Sequence, residues 1–159
     1  MERIVVASVS MVPELLQRYQ TDAMLSIAAK PKINESVRPK RHLECSFADI
    51  DEPSPRNLDL AAKPADINMI RSLASAERIL IHCNKGQRRS PAAALILAQT
   101  LNYSPTVIAE LIWSVAGYVD FNLHMLKLAG IERSLLGPPR PFLTPPLGAY
   151  FVLDLKNLS

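Results

Sequence analysis

Between Arg78 and Ala98 the chain reads Arg78-Ile79-Leu80-Ile81-His82-Cys83, then Asn84-Lys85-Gly86-Gln87-Arg88-Arg89-Ser90, then Pro91-Ala92-Ala93-Ala94-Leu95-Ile96-Leu97-Ala98. The first run is brief, apolar and bounded by polar residues, as expected of a strand buried on both faces of a sheet. The last is apolar nearly all round, which suits a helix packed against that sheet rather than one at the surface. With Ser90 as its cap and Pro91 as its first residue, this helix starts as the polar segment ends. Strand, tight loop and buried helix in immediate succession confine the chain to an α/β fold, with the loop at the C-terminal end of the strand.

The flanking sequence supplies the rest of such a domain. Strands are expected over Arg3 to Val9, Ala23 to Ala28 and Leu43 to Phe47, with a short helix holding Pro13 in its first turn. Lys30 to Arg41 reads as a solvated basic loop, and Ala48 to Leu60 as an acidic, proline-bearing one. A helix from Pro64 places Ile67, Ile70 and Leu73 on one stripe. Ser104-Pro105 starts another, with Val107, Ile108, Leu111, Ile112 and Val115 expected inward, and a last helix runs from about Phe121 to Ala129. The prediction is a three-layer α/β domain with a central, mostly parallel sheet flanked by helices, spanning residues 1–136. Residues 137–159 form a proline-rich extension packed on it, polyproline II over Gly137 to Phe142 and apolar enough from Ala149 to Leu155 to dock as an edge strand.

Composition narrows the class of function. The chain has 159 residues, 48% hydrophobic and 21% charged, the profile of one folded domain rather than a disordered segment. A net charge of +3 favours anionic partners but is too small to argue for nucleic acid without a concentrated basic stripe. The 2 cysteines, Cys45 and Cys83, are far from a disulfide framework. With no apolar run of membrane-spanning length and no signal-peptide pattern at Met1, the expectation is a cytoplasmic protein without membrane insertion. His42 and His124 lack metal-ligand spacing, so neither a metal nor a cofactor is expected. Cys45 and Trp113 read as core residues.

The loop has a chemical purpose. Successive backbone amides from Asn84 to Arg89 can curl around one oxyanion, and the helix N-terminus adds its partial positive charge. Gly86 allows the close approach that a side chain would obstruct. Arg89, planar and permanently charged, can hold two phosphate oxygens at once. The same field favours the thiolate of Cys83, the form that attacks phosphorus. Ser90 is placed to donate to that sulfur, and His82 to orient the loop through hydrogen bonds.

His82-Cys83-x5-Arg89-Ser90 resembles the signature of the protein tyrosine phosphatase superfamily, in its cysteine-based, dual-specificity-like form. The resemblance covers roughly Met1 to Arg133, and in length the chain is similar to compact bacterial predicted tyrosine phosphatases. It implies a phosphomonoester hydrolase working through a phosphocysteine intermediate. Cys83 is then the nucleophile, and Asn84, Lys85, Gly86, Gln87, Arg88 and Arg89 form the phosphate-binding loop. The family needs a carboxylic acid to protonate the departing oxygen and later to take a proton from water. Asp49 matches the Asp-Ile pair of the similar bacterial sequences, and Asp51 the spacing common among dual-specificity enzymes, so two candidates stand. Asp120 and Asn122 fall where relatives carry a polar segment supporting the loop. The implied substrate is a phosphorylated protein. Lys85 and Arg88, where many relatives have small residues, raise the positive potential and admit a phosphoinositide or an RNA 5′-phosphate as alternatives. A phosphate-binding pseudophosphatase is the reading from another class.

Overall fold

The computed structural model describes residues 1–138, 141 and 143–158. Alternating apolar strands and helices condense into one sheet of 5 strands: β1 (Arg3–Ser8), β2 (Ala23–Ile27), β3 (Arg41–Cys45), β4 (Arg78–Cys83) and β5 (Tyr150–Asp154), in the order β3-β2-β4-β1-β5. The first four are mutually parallel, and β5 runs antiparallel along β1. The predicted three-layer, mostly parallel α/β architecture is the one observed.

Side-chain alternation along the strands splits the core into two layers. Val5, Ala7, Met24 and Leu80 face α1 (Val12–Arg18) on one side. Ile4, Val6, Leu25, Ile27, Ile79, Ile81 and Cys83 face the larger layer on the other. That layer holds α2 (Pro64–Ser72), α3 (Arg89–Thr100), α4 (Pro105–Val115) and α5 (Leu123–Leu128). α3 lies at its centre, and every residue from Ser90 to Ala98 is buried, as its all-round apolar sequence requires. The three consecutive alanines Ala92, Ala93 and Ala94 leave room for β4, α2, α4 and α5 to close on it together.

The strand edges differ from the predicted ones by one or two residues: β3 starts earlier and stops at Cys45, which frees Phe47 to anchor the loop that follows. Ser104 caps α4 as expected, accepting from the Val107 amide. Val107 and Val115, expected inward, are exposed, because α4 turns only Ile108, Ala109, Ile112 and Trp113 towards α3. Of the stretch expected to be polyproline II, Pro139, Arg140 and Phe142 lie outside the described residues. Beyond it, β5 buries Phe151 and Leu153, followed by Leu155, and covers the otherwise open edge of β1.

Removing residues 149–159 should therefore cost more than a tail would. Loss of the buried Phe151, Leu153 and Leu155, at about 1.5–3 kcal/mol each, is comparable to the whole stability of a small domain. A chain ending at residue 148 is expected to be aggregation-prone or to unfold at much lower urea. Cooperative unfolding at the full-length midpoint would show the extension to be dispensable.

Candidate active site

β4 sits in the middle of the sheet and delivers Cys83 to its C-terminal end, opposite Ser8 of β1. α3 begins at Arg89, so the chain has Asn84 to Arg88 in which to reverse direction. It does so with Gly86 at φ +69°, pressed on the end of β1. A Cβ there would stand 2.6 Å from the Ser8 nitrogen and 2.7 Å from the Ala7 carbonyl carbon, both backbone atoms that cannot move aside. The Val9 amide donates to the Asn84 carbonyl at 3.2 Å and fixes the same contact.

This turn wraps the sulfur. The Gly86 amide donates to Cys83 Sγ at 3.3 Å, and Ser90 Oγ lies 3.1 Å from it. The sulfur belongs to a residue only 2% exposed, yet Cys83 lines a pocket of about 270 Å³ together with Asp49, Asn84, Lys85, Gln87, Arg88 and Arg89. Ser90 does not cap α3 as predicted. The helix opens two residues earlier, at Arg89 with Arg88 in the cap position, and the Ser90 hydroxyl is spent on the sulfur. The first turn of α3 has no side-chain cap, so its end is left able to meet an anion.

The side chains of the loop divide by task. Arg89 lines the pocket and is braced by donation from Nη1 to the Phe47 carbonyl at 3.0 Å. Asn84 and Lys85 are exposed at the rim. Gln87, expected near the phosphate, lines the pocket but is only 4% exposed, and its side-chain amide donates to the carbonyls of Tyr118, at 3.1 Å, and Leu143, at 2.6 Å. Its side chain thus ties the loop to the C-terminal extension. Arg88, at the same pocket, reaches both candidate carboxylates. Its Nε lies 3.2 Å from Asp49 Oδ2, and its Nη2 donates to Asp51 Oδ1. Burial works against the Arg88 charge, but Asp49 and Asp51 outweigh it and raise its pKa above the ordinary value.

The two carboxylates are not equivalent. Asp49 lines the pocket with Cys83, and Asp51 does not. Asp51 Oδ1 accepts from the Leu123 amide at 2.8 Å, at the start of α5. Asn122 Nδ2 donates to Asp49 Oδ1 at 2.7 Å and to the Ile50 carbonyl at 3.2 Å, while its Oδ1 caps α5 by accepting from the Met125 amide. Neither role was readable in the sequence: with the helix expected from about Phe121, Asn122 fell inside it rather than at its cap, and nothing local links it to Asp49.

His82 directly precedes Cys83 and is buried. It lies on the α1 face of β4, where Nε2 pairs with Ser26 Oγ at 2.6 Å, and Ser26 Oγ pairs in turn with His42 Nε2 at 2.8 Å. Burial lowers the His82 pKa from 6.5 to about 4. Cys45 is also buried, its Sγ 3.4 Å from Met69 Sδ, and burial first, with the Asp66 charge second, pushes its thiol up to about 12. A thiol held protonated in this way is a packing residue, not a second nucleophile. Among the described residues no group of three or more His, Cys, Asp or Glu side chains could hold a metal ion, and no helix is long and apolar enough to cross a membrane.

No protein-family model matches the chain, and no curated protein matches it in sequence. Its shape is that of known phosphatases. The solved structure of DUSP15 matches with a TM-score of 0.57 at 16% identity, over 79% of this chain and 80% of that one. Human DUSP28 matches at 0.53 and 12% identity, over 84% and 90%. A mouse putative dual specificity phosphatase matches at 0.52 and 14% identity, over 79% and 84%. The chain shares its fold with these dual-specificity phosphatase structures.

The buried His82 makes stability depend on pH. Its folded-state pKa lies below the unfolded one, so as pH falls through about 6.5 towards 4 the unfolded chain takes up a proton that the folded chain refuses, and stability is lost. At about 1.4 kcal/mol per pH unit, urea unfolding should show a loss of roughly 2 kcal/mol between pH 7 and pH 5. His82→Asn should flatten that dependence. An unchanged slope in the variant would contradict it.

Proposed function

With the fold of dual-specificity phosphatases as premise, we propose that this protein is a cysteine-dependent phosphomonoester hydrolase acting through a phosphocysteine intermediate. One observation carries the reading: Cys83 Sγ, met by the Gly86 amide and the Ser90 hydroxyl, lines one pocket with Arg89 and Asp49. In the first step the Cys83 thiolate attacks phosphorus. The sulfur–phosphorus bond forms, the ester bond breaks, and Asp49 gives its proton to the departing oxygen. Loop amides and Arg89 hold the charge that spreads over the equatorial oxygens. In the second step water attacks the phosphocysteine and loses a proton to Asp49. The thiolate leaves towards the donors at Ser90 and Gly86, and inorganic phosphate is released.

Asp49 is preferred to Asp51 as acid and base because it lines the pocket, whereas Asp51 Oδ1 is held by the Leu123 amide and Arg88. The favoured substrate is a phosphorylated protein, phosphotyrosine or dual-specificity in kind, in a cytoplasmic setting that keeps Cys83 reduced. A phosphoinositide or RNA 5′-phosphate is supported by Lys85 at the rim. It loses the support of Arg88, whose charge is matched by two carboxylates. A pseudophosphatase would bind phosphopeptide in the same pocket without turnover.

Hydrolysis of p-nitrophenyl phosphate and of a phosphotyrosyl peptide tests the reading. Vanadate-sensitive turnover is expected, abolished by Cys83→Ser. Asp49→Asn should lower kcat on the peptide by about 10²–10⁴-fold, and Asp51→Asn by about tenfold or less. Full activity in Cys83→Ser overturns the mechanism; phosphopeptide binding without turnover selects the pseudophosphatase.

A further inference from the structure

Arg88 precedes Arg89 in the phosphate-binding loop, and the sequence alone gives both the same task. The structure separates them. Both line the pocket, but Arg89 is braced on the Phe47 carbonyl, whereas the Arg88 side chain, 21% exposed, crosses to the acidic loop and meets Asp49 through Nε and Asp51 through Nη2. Its backbone joins the same cluster, since the Arg88 carbonyl accepts from the Asn122 amide at 3.2 Å and Asn122 Nδ2 donates to Asp49. Phosphate loop, acidic loop and start of α5 are thereby closed into one hydrogen-bonded ring. A guanidinium can serve two carboxylates from two of its nitrogens in a fixed plane; an ammonium is a single point charge and cannot fix that geometry. The guanidinium also offsets one of two negative charges standing beside the path of an incoming phosphate dianion.

We propose that Arg88 is a positioning residue for the general acid: its side chain takes no phosphate, and by gripping Asp49 and Asp51 together it holds Asp49 over the departing oxygen. The proposal rests on the hydrolase reading above and adds a role for a residue that the loop signature leaves open. It has a selective consequence. An ester whose leaving group is already stable as an anion needs little protonation, whereas a poor leaving group needs the acid in place.

The test compares Arg88→Ala, and Arg88→Met as the variant that keeps the side-chain stem, on p-nitrophenyl phosphate and on phenyl phosphate. Thermal unfolding confirms that each is folded. On phenyl phosphate kcat should fall by about 10–100-fold, and on p-nitrophenyl phosphate by no more than about threefold, with KM and inhibition by inorganic phosphate shifted by no more than about threefold. Arg88→Lys should recover part of the loss. In an Asp49→Asn background Arg88→Ala should add no further leaving-group-selective loss, since both act through one group. Equal losses on both esters, or weakened phosphate inhibition, overturn the proposal in favour of a structural or phosphate-binding Arg88. If Asp49→Asn shows the selective loss and Arg88→Ala does not, the proposal falls and the hydrolase reading stands. If the wild-type protein turns over neither ester, both fall.

Discussion

The turn from β4 into α3 must pass directly over the end of β1, and Gly86 is the only residue type that fits there. Its α-carbon lies so close to the Ala7–Ser8 peptide that a methyl group would overlap backbone atoms, and its φ of +69° is one that side chains disfavour. From this seat the rest of the site follows. The Gly86 amide is aimed at the Cys83 sulfur, α3 can begin at Arg89, and Ser90 is carried by the first turn to the other side of the same sulfur. β1 is held in place by β4 on one side and β5 on the other, so the floor under Gly86 is itself fixed by the sheet.

A second constraint is electrostatic. The acidic loop approaches a loop built to attract anions, and Arg88 and Asn122 make that approach favourable by meeting its carboxylates with donors. Gln87 does the corresponding work on the far side, joining the loop to the carbonyls of Tyr118 and Leu143. The positive potential read from Lys85, Arg88 and Arg89 together is therefore smaller at the pocket than in the sequence, because one of the three charges is already matched.

The parts of this site that sequence made legible are the local ones. An apolar strand, a loop with Gly86 and a helix that is apolar on all sides leave few arrangements, so the fold class and the placing of Cys83 beside Ser90 could be read directly. Ser90 was misread as a cap because a Ser-Pro pair usually starts a helix, whereas here the helix opens at Arg89 and the Ser90 hydroxyl lies against the Cys83 sulfur. Val107 and Val115 were placed inward on hydrophobicity alone, without knowing which stripe of α4 meets α3. Arg88, Gln87 and Asn122 were illegible in role for a common reason: each acts through partners more than thirty residues away, and only the fold brings them together.

The most direct test of the account is to catch the covalent step. In Ser90→Ala the thiolate leaves the phosphocysteine without its hydroxyl donor, so the intermediate should accumulate during turnover of an aryl phosphate. Acid quenching followed by peptide mass mapping is predicted to find one phosphoryl group on the peptide holding Cys83, and none when Cys83 is serine. Turnover that continues with the phosphoryl group on another residue, or with no phosphoenzyme at any quench time, would contradict the nucleophilic role of Cys83.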